Sequence, residues 1–374
     1  MNHAKVIFDR GPLAGGTVFA APDAVIKANC PNEIDRAFDA MQQAKFDGKW
    51  LAGYLSYEFG YLSSSKLAHL LPPLRDLPLI HFGVFDAPIS RQVLSDDTPV
   101  TLDPPQPLWD FAHYKRAFQQ VHDYIAAGDI YQVNLTFPLA SRFAGTIEQL
   151  YAQLQRRQPV PHGVLVDLGG VALLSRSPEL FFSLSENGKL TTRPMKGTAP
   201  RGKTAAADDA LRDELQSSEK NRAENLMIVD LLRNDMSRVS EVGSVTVPEL
   251  FSVERFATLH QMTSCITSQV CKGITFKELF RALFPCGSIT GAPKVRAMQI
   301  IRDIETQPRE AYCGSIGWIA PNGAMEFNVA IRTLLCRQDQ TVQMNVGGGI
   351  VYDSTAQSEY EEALLKSRFA NLSQ

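Results

Sequence analysis

The spacing of apolar residues along the chain predicts helices in some segments and strands in others. Helical spacing runs over 111–127, and Gly128 is placed to end that helix. Further helices are predicted over 205–216, over 219–234, behind Pro293, and from Ser354, where Gln357 has the spacing of a capping box. Strands are predicted near 131–137, 314–319, 327–335 and 342–346.

A β-hairpin is predicted within 171–192, where apolar residues alternate with smaller or polar ones. Asn187-Gly188 is the favoured dipeptide of a two-residue type I′ turn. Counting outward from such a turn, Glu179 falls directly opposite Lys196, with Cβ atoms about 5 Å apart. The pattern therefore predicts a carboxylate and an ammonium group side by side on paired strands.

Strands and helices alternate irregularly rather than as a regular strand–helix–strand series, which favours an α+β fold. The chain of 374 residues is long for a single domain. Prolines and polar residues interrupt the periodic pattern over 96–108. We therefore predict an N-terminal lobe over 1–107 and a larger second region over 108–374.

The composition is that of an ordinary globular protein, with 44% hydrophobic and 21% charged residues. A net charge of -3 offers no basic field to nucleic acid or to an anionic membrane surface. The first residues form no apolar signal core, and no apolar run reaches about 18 residues, so we expect a cytosolic protein without a membrane span. The six cysteines show neither C-x-x-C spacing nor the motif of a glutaminase nucleophile.

Lys196 is the first candidate for chemistry. It lies between Pro194 and Gly197-Thr198, where the backbone can approach a ligand closely. Beside a carboxylate in a closed cleft, a lysine whose pKa falls below about 10.4 can act as a nucleophile or a proton carrier. The alternative is a solvated cross-strand ion pair with Glu179.

Three glutamates are candidates for a metal site. Glu224 lies on an apolar helical stripe, where a carboxylate is costly unless a cation or hydrogen bonds meet it. Glu359 and Glu362 are spaced to share one face of the last predicted helix with Lys366. The three carboxylates would suit Mg²⁺, which prefers oxygen ligands. A buried salt bridge for Glu224 and a solvated helix face for the other two are the alternatives.

Several segments offer groups that would bind an anionic small molecule. The loop 287–293 leads into a helix, but it does not meet the P-loop motif because Lys294 follows a proline. A carboxylate therefore suits it better than a nucleotide phosphate. Arg332 and the glycines at 347–349 offer further donors, although glycine runs often form only turns. His260 has the alternative of an ordinary buried histidine.

Five segments resemble, in order, the chorismate-utilising enzyme family, which includes anthranilate synthase component I, aminodeoxychorismate synthase component I, and the isochorismate and salicylate synthases. They are 193–198, 222–235, 284–298, 330–333 and 347–366. The likeness is strong over 114–366 and faint before it, through 52–58. It implies an α+β fold of two large antiparallel β-sheets packed face to face with helices outside. It also makes 108–374 the chorismate-binding catalytic region.

The resemblance also implies roles for single residues. Glu224 and Glu362 would ligate Mg²⁺ and Glu359 would support its water shell, while Asn221 departs from the acidic residue usual at its position. The residues on the ring carboxylate side of the substrate would be Gly197, Thr198, His260 and Gly347. The residues on the enolpyruvyl carboxylate side would be Tyr312, Arg332, Gly349 and Lys366, with Thr290 nearby.

Lys196 discriminates among the reactions of the family. Anthranilate synthases typically carry alanine there and aminodeoxychorismate synthases carry lysine, whereas water-using members carry a base lysine where this chain has Gln132. The resemblance thus implies amination of chorismate by ammonia to 4-amino-4-deoxychorismate, toward p-aminobenzoate and folate, with Lys196 as nucleophile and Glu179 as general acid. Ammonia would come from a glutamine amidotransferase subunit. Anthranilate synthesis and a non-catalytic binding or regulatory subunit are the alternatives.

Overall fold

A computed structural model describes residues 4–91, 100–256 and 259–372. The strands are β1 (Lys5–Phe8), β2 (Thr17–Ala20), β3 (Ala24–Ala28), β4 (Trp50–Leu55), β5 (Ile80–Phe85), β6 (Ile89–Ser90), β7 (Thr101–Leu102), β8 (Gln106–Pro107), β9 (Gln132–Ala144), β10 (His162–Asp167), β11 (Ala172–Ser177), β12 (Leu180–Leu184), β13 (Lys189–Arg193), β14 (Met195–Pro200), β15 (Thr246–Arg255), β16 (Leu259–Gln269), β17 (Gly291–Ala292), β18 (Ser315–Ile319), β19 (Met325–Asn328), β20 (Thr333–Cys336) and β21 (Thr341–Ile350). The helices are α1 (Ile34–Phe46), α2 (Phe111–Ala126), α3 (Ile147–Arg157), α4 (Ala205–Ser217), α5 (Glu219–Ser237), α6 (Phe276–Leu283), α7 (Lys294–Ile304) and α8 (Ala356–Lys366). Short 3₁₀ turns lie at Pro31–Glu33, Tyr57–Leu62, Ala68–Leu70, Gly287–Ile289 and Ser367–Ala370.

Two large antiparallel sheets form the centre of the molecule. The first has the strand order β17-β9-β21-β20-β11-β10-β1-β2-β6, and β7 and β8 also pair with β9. The second has the order β14-β16-β13-β12-β19-β18-β4-β5-β3, and β15 pairs with β16. One hydrophobic cluster joins residues of both sheets, among them Val6, Phe19, Tyr54 and Ile316. The sheets therefore pack face to face, which confirms the predicted α+β fold.

Helices cover the outer faces of the two sheets. In β1, Val6 and Phe8 belong to the cluster between the sheets, whereas Ile7 belongs to a second cluster that includes Tyr114 of α2 and Ile300 of α7. Alternate residues of a strand point to opposite faces, so both faces of this strand are buried. Each large apolar side chain buried in this way stabilises the fold by about 1.5–3 kcal/mol.

Strands on both sides of residue 107 share the two sheets. β1, β2 and β6 extend the first sheet beyond β10, and β3, β4 and β5 extend the second beyond β18. The division into 1–107 and 108–374 stays a prediction. It rested on the proline-rich segment 96–108, of which residues 96–99 lie outside the described residues. The N-terminal strands complete the two layers on which the candidate site is built.

The predicted helices form close to their predicted ends. α2 stops just before Gly128, whose φ of 79° lies in the left-handed region that ends helices. α4 and α5 follow each other with Ser218 as the N-cap of α5. Pro293 is the N-cap of α7, one position before the first helical turn. The periodic pattern was therefore a sound guide to helix positions.

The capping box predicted at Ser354 is wrong. Thr355 caps α8, because its backbone is extended and its side chain accepts a hydrogen bond from the Ser358 N–H. Ser354 lies one residue outside the helix, and its hydroxyl donates to Glu359 at 2.7 Å. The cap is thus shifted by one residue, and Ser354 instead supports a candidate metal ligand.

The strand predicted over 327–335 is two strands in different sheets. β19 lies in the second sheet and β20 in the first, so the chain crosses between layers in the intervening residues. Arg332 has a φ of 50° at this crossing, a conformation that cannot continue a strand. At this crossing Arg332 lies next to β11, and its carbonyl accepts a hydrogen bond from the Arg176 N–H.

The hairpin β12–β13 forms, but its predicted register is wrong. Leu184 pairs with Leu190, and a three-residue loop of 186–188 replaces the expected two-residue turn. Gly188 has a φ of 77°, as in a loop that ends in one left-handed residue. Lys196 lies on β14, which pairs with β16, so Glu179 is not its partner in a strand ladder. The two side chains approach each other by another route.

Candidate active site

Lys196 lies in a local irregularity of β14. The register between β14 and β16 shifts between Met195 and Thr198, and Gly197 in between has a φ of 83°. A Cβ on Gly197 would lie 3.0 Å from the Asn221 side chain of α5, so only glycine fits there comfortably. The bulge therefore re-aims Lys196 and lets the strand approach α5 closely.

Burial lowers the pKa of the Lys196 ammonium below its ordinary value, although the charge of Glu224 acts to raise it. A second cation, Lys366, also lowers this pKa, while Glu179 and Glu362 raise it. No carboxylate of the described residues lies within ion-pair distance of Lys196. A partly desolvated lysine without a direct partner is more easily deprotonated, which is the state a nucleophile requires.

Glu179 is buried at the start of β12. Burial raises the pKa of its carboxyl to about 7, against the opposing effects of a hydrogen bond from Ser288 and the charge of Lys196. The Ser288 hydroxyl donates to Glu179 Oε1 at 2.8 Å. A carboxyl group that is partly protonated near neutral pH is suited to general acid–base chemistry.

Glu359 and Glu362 of α8 lie near Glu224 of α5, whose charge acts on Glu359. Burial raises the pKa of Glu359, and the charges of Glu362 and Glu224 raise it further. Burial acts to raise the pKa of Glu362 as well, but the charge and hydrogen bond of Lys366 outweigh it and lower that pKa. Lys366 Nζ lies 2.9 Å from Glu362 Oε1. The fold therefore brings the three predicted metal ligands into one acidic cluster.

The acidic cluster has the oxygen donors that Mg²⁺ prefers. Within the described residues, no group of three or more acidic, histidine or cysteine side chains converges closely enough to hold a metal ion. Glu359 accepts from Ser354, and Glu362 is paired with Lys366. The donor types therefore fit the cation, while the side chains of α8 would have to exchange these partners to bind it.

The glycines of β21 form the wall opposite Lys196. A Cβ on Gly349 would lie 2.8 Å from Gln132 Nε2 and 3.2 Å from Lys196 Nζ. Lys366 Nζ donates to the carbonyl of Gly347 at 3.0 Å. A side chain at Gly347 or Gly349 would therefore collide with its neighbours, and the two glycines let β21 approach both lysines of the site.

Gln132 is a candidate site residue that the sequence did not single out. It is fully buried, and neither atom of its amide has a partner among the described residues. Burying an amide without partners is costly, so these atoms are available to a ligand. The signal in the sequence was the family comparison, in which water-using members carry a base lysine at this position. The pairing of β17 with Gln132 and Val133 places it beside the loop 287–293.

His260 is buried on β16 and bonded to α4. Its Nε2 lies 2.8 Å from Asp208 Oδ1, and its Nδ1 has no partner among the described residues. Hydrogen bonds from Arg201 and from the Gly202 N–H hold the pKa of Asp208 well below its ordinary value. The sequence offered no signal that separates Asp208 from its neighbour Asp209.

The structure places the remaining predicted residues in different surroundings. Thr290 is buried and donates to the carbonyls of Cys286 and Gly287, so its hydroxyl is already used. Tyr312 is buried, and Arg332 feels the charge of Glu179. Thr198 is exposed and bonds to Gln261, on the side of β14 away from His260. Thr198 is thus the predicted site residue least enclosed by the fold.

Comparison with known sequences places these residues in a family context. Residues 91–371 match the family described as chorismate binding enzyme. Aminodeoxychorismate synthase component 1 of Salmonella typhimurium is 46% identical over 253 residues, a match that covers 68% of this chain and 55% of that protein. Anthranilate synthase component 1 of Aquifex aeolicus is 38% identical over 264 residues, covering 70% and 53%. The chain therefore spans about half the length of these curated relatives.

Solved structures share the fold. Anthranilate synthase component I from Streptococcus pneumoniae superposes with a TM-score of 0.81 at 25% identity, over 99% of this chain and 93% of that chain. The menaquinone-specific isochorismate synthase of Escherichia coli superposes with a TM-score of 0.76 at 18% identity, over 99% and 88%. At the second identity the likeness concerns the fold alone. Among the described helices, none has the length and apolar character needed to cross a membrane.

Proposed function

The chain belongs to the chorismate binding enzyme family, and from that premise we propose that it aminates chorismate with ammonia to give 4-amino-4-deoxychorismate. The proposal rests above all on Lys196, a desolvated lysine that adjoins Gly349 and feels the charge of Glu179. Relatives named aminodeoxychorismate synthase in Salmonella typhimurium and in Arabidopsis thaliana, the latter 40% identical over 75% of this chain and 31% of that protein, support it.

In the proposed first step, Lys196 attacks C2 of chorismate as a neutral amine. Both double bonds of the ring diene shift, the bond from C4 to its hydroxyl breaks, and Glu179 donates a proton so that the group departs as water and the resulting carboxylate can take the surplus proton of the amine. The amine then loses its surplus proton. Burial favours both roles, because it lowers the pKa of Lys196 and raises that of Glu179 to about 7.

In the second step, ammonia adds at C4. Both double bonds shift back, the bond between C2 and Lys196 breaks as Glu179 protonates the leaving nitrogen, and the ammonium formed at C4 returns a proton to Glu179. The enolpyruvyl group is retained and no ring aromatisation occurs. Lys196 is regenerated, which makes it a covalent catalyst.

Substrate carboxylates would be held by the donors around the site. Gly197, Thr198, His260 and Gly347 are proposed for the ring carboxylate side, and Thr290, Tyr312, Arg332, Gly349 and Lys366 for the enolpyruvyl side. Glu224 and Glu362 would hold Mg²⁺, with Glu359 bonded to its water, and the bound cation would supply positive charge to a substrate carboxylate. Lys366, which pairs with Glu362 here, would hold a substrate carboxylate with its ammonium group.

The ammonia is proposed to come from a separate glutamine amidotransferase subunit. The name "component 1" of the Salmonella typhimurium relative is consistent with a second component in that enzyme. The sequence of this chain carries no glutaminase nucleophile motif. The test is whether glutamine supports the reaction only when an amidotransferase is added, whereas ammonium supports it without one.

The decisive experiment incubates the purified chain with chorismate, ammonium chloride and Mg²⁺ and identifies the product by mass. Production of 4-amino-4-deoxychorismate supports the proposal, and Lys196→Ala should abolish it because it removes the proposed nucleophile. Full amination by Lys196→Ala would rule out the covalent step. Absence of any product from the folded wild-type chain would favour a non-catalytic subunit.

Anthranilate synthesis is the second candidate, because the Aquifex aeolicus relative is named anthranilate synthase component 1. That reaction would release pyruvate and a fluorescent aromatic product in the same assay. Lys196 argues against it, since anthranilate synthases resemble this chain here but typically carry alanine. Detection of stoichiometric pyruvate would reverse the choice.

A further inference from the structure

Ser288 links Glu179 to the loop before α7 and has no role in the chemistry described so far. It lies in the 3₁₀ turn Gly287–Ile289 and is 5% exposed. Its hydroxyl donates to Glu179 Oε1 at 2.8 Å, and its Oγ lies 3.2 Å from Cys286 Sγ. A buried hydroxyl with these two contacts is well placed to orient a carboxyl group.

The number of protons on the Ser288 hydroxyl decides which atom donates in each of its two contacts. A serine hydroxyl carries one proton, and Ser288 gives it to Glu179. The thiol of Cys286 must therefore be the donor in its contact with Ser288. Glu179 Oε1 is occupied as an acceptor, so the proton of the neutral carboxyl group resides on Oε2.

We propose that Ser288, oriented by Cys286, is a positioning residue that fixes Oε1 of Glu179 and leaves Oε2 to deliver the proton to the departing hydroxyl group. The inference deepens the proposed function and rests on Glu179 acting as its general acid. Without the Ser288 hydroxyl, the carboxyl could turn, and its proton would be presented to the substrate in only a fraction of molecules.

The groups around Glu179 determine the direction of the expected pH effect. Its charged form is favoured by Ser288, by Lys196, by the Met195 N–H and by His162. Arg332 also faces it, and the thiols of Cys286 and Cys313 feel its charge. Burial raises the pKa of Glu179, and the Ser288 hydrogen bond lowers it. Removing only this hydrogen bond should therefore raise the pKa of Glu179.

The test is the pH profile of ammonia-dependent amination in Ser288→Ala. We expect the maximal rate to fall about tenfold, because the carboxyl group is misplaced. The alkaline limb of the profile, which is the pH range in which the rate declines, should move to higher pH. Ser288→Thr keeps the hydroxyl and should restore both properties. A purely structural role would lower the rate without moving the limb, and that result would overturn the inference.

Ser240→Ala is the matched control. Ser240 is also a buried serine with a side-chain hydrogen bond, to Ser268, but it follows the end of α5 and is bonded to neither Glu179 nor Ser288. It should lower the melting temperature without moving the limb. If it moves the limb as far as Ser288→Ala does, the effect is nonspecific and the inference fails.

Glu179→Gln separates this inference from the proposed function. If Glu179→Gln aminates chorismate at the wild-type rate, the general-acid role itself is wrong. Titration of the protonated-carboxyl infrared band that Glu179→Gln removes provides a readout without turnover. A higher midpoint in Ser288→Ala than in wild type supports the Ser288 contact, and an unchanged midpoint contradicts it whatever the enzyme's activity.

Discussion

Burial acts in opposite directions on the two residues proposed to carry the reaction. It lowers the pKa of the Lys196 ammonium and raises that of the Glu179 carboxyl to about 7. Both groups are thereby moved toward their neutral forms, the amine as nucleophile and the carboxyl as acid. No direct ion pair between them forms in the described structure, and such a pair would favour their charged, inactive forms.

In the pH range where Lys196 is already neutral, the amination rate should fall as pH rises through about 7, because Glu179 must be protonated to act. At low pH the rate should fall again, because Lys196 becomes protonated. A bell-shaped profile of kcat, measured with a constant concentration of free ammonia, checks this expectation. A rate that continues to rise above neutral pH would show that Glu179 does not act as the acid.

Gly349→Ala should nearly abolish amination while the chain stays folded. The added Cβ would lie 2.8 Å from Gln132 Nε2 and 3.2 Å from Lys196 Nζ, which would displace both side chains. Product formation is the readout, and the melting temperature shows whether the fold survives. Gly243→Ala serves as a control for adding a methyl group, because nothing lies within 4 Å of a Cβ there, although its positive φ adds local strain. Normal activity of Gly349→Ala would place the substrate elsewhere.

At the scale of elements, Asp208 of helix α4 is bonded to His260 of β16, which is proposed to lie on the ring carboxylate side of the substrate. Asp208→Asn should weaken chorismate binding about tenfold, because a charged hydrogen bond to a buried imidazole is lost. Isothermal titration with chorismate measures the effect. The adjacent Asp209→Asn is the matched control, since Asp209 is paired with arginines at the surface and should bind chorismate normally. Equal losses in both variants would argue against a role for the Asp208 contact.

Helices and the overall fold could be predicted from the sequence more fully than strand register. The 3.6-residue period identifies α2 and α5 directly, because their buried stripes are long. Asn187-Gly188 can form part of a two-residue or a three-residue loop. The structure has the longer loop, so the predicted partners of the paired residues in β12 are wrong by at least one position. Glu179 and Lys196 were predicted to face each other across one hairpin, which is wrong, because Lys196 lies on β14 paired with β16 and interacts with Glu179 only through charge.

Contacts between distant segments lay beyond reach of the sequence. Ser288 meets Glu179 across a separation of 109 residues, and no local pattern marks either as the other's partner. The family resemblance named the acidic residues of the cluster, but it could not reveal that Glu362 is paired with Lys366 and Glu359 with Ser354. Such pairings depend on how the layers pack rather than on local preference.

At the scale of the whole molecule, several buried carboxyl groups have pKa values raised by burial, among them Glu58, Glu179, Glu310 and Glu359. The folded state therefore holds protons that the unfolded chain releases above about pH 4.3. Stability should fall as pH rises from that value through the folded-state pKa values. The melting temperature should be lower at about pH 8 than at about pH 6.

Glu58→Gln should flatten this dependence. The Glu58 carboxyl is fully buried, and Oε1 already accepts from the Arg309 N–H, so a neutral amide oxygen can replace it. Melting curves at both pH values, recorded for wild type and variant, make the comparison. An undiminished slope in Glu58→Gln would show that other groups cause it, and a melting temperature that rises with pH would contradict the expectation altogether.

The family match begins at residue 91, whereas β1 to β6 all lie before it and pair into both sheets. A gene fragment encoding only the matched region would keep every proposed catalytic glutamate and Lys196. It would also leave β10 and β18 as open strand edges, which invite pairing with other chains. The segment that matches the family is therefore shorter than the segment needed to complete both sheets. A fragment designed from the match alone would lack strands that the fold requires.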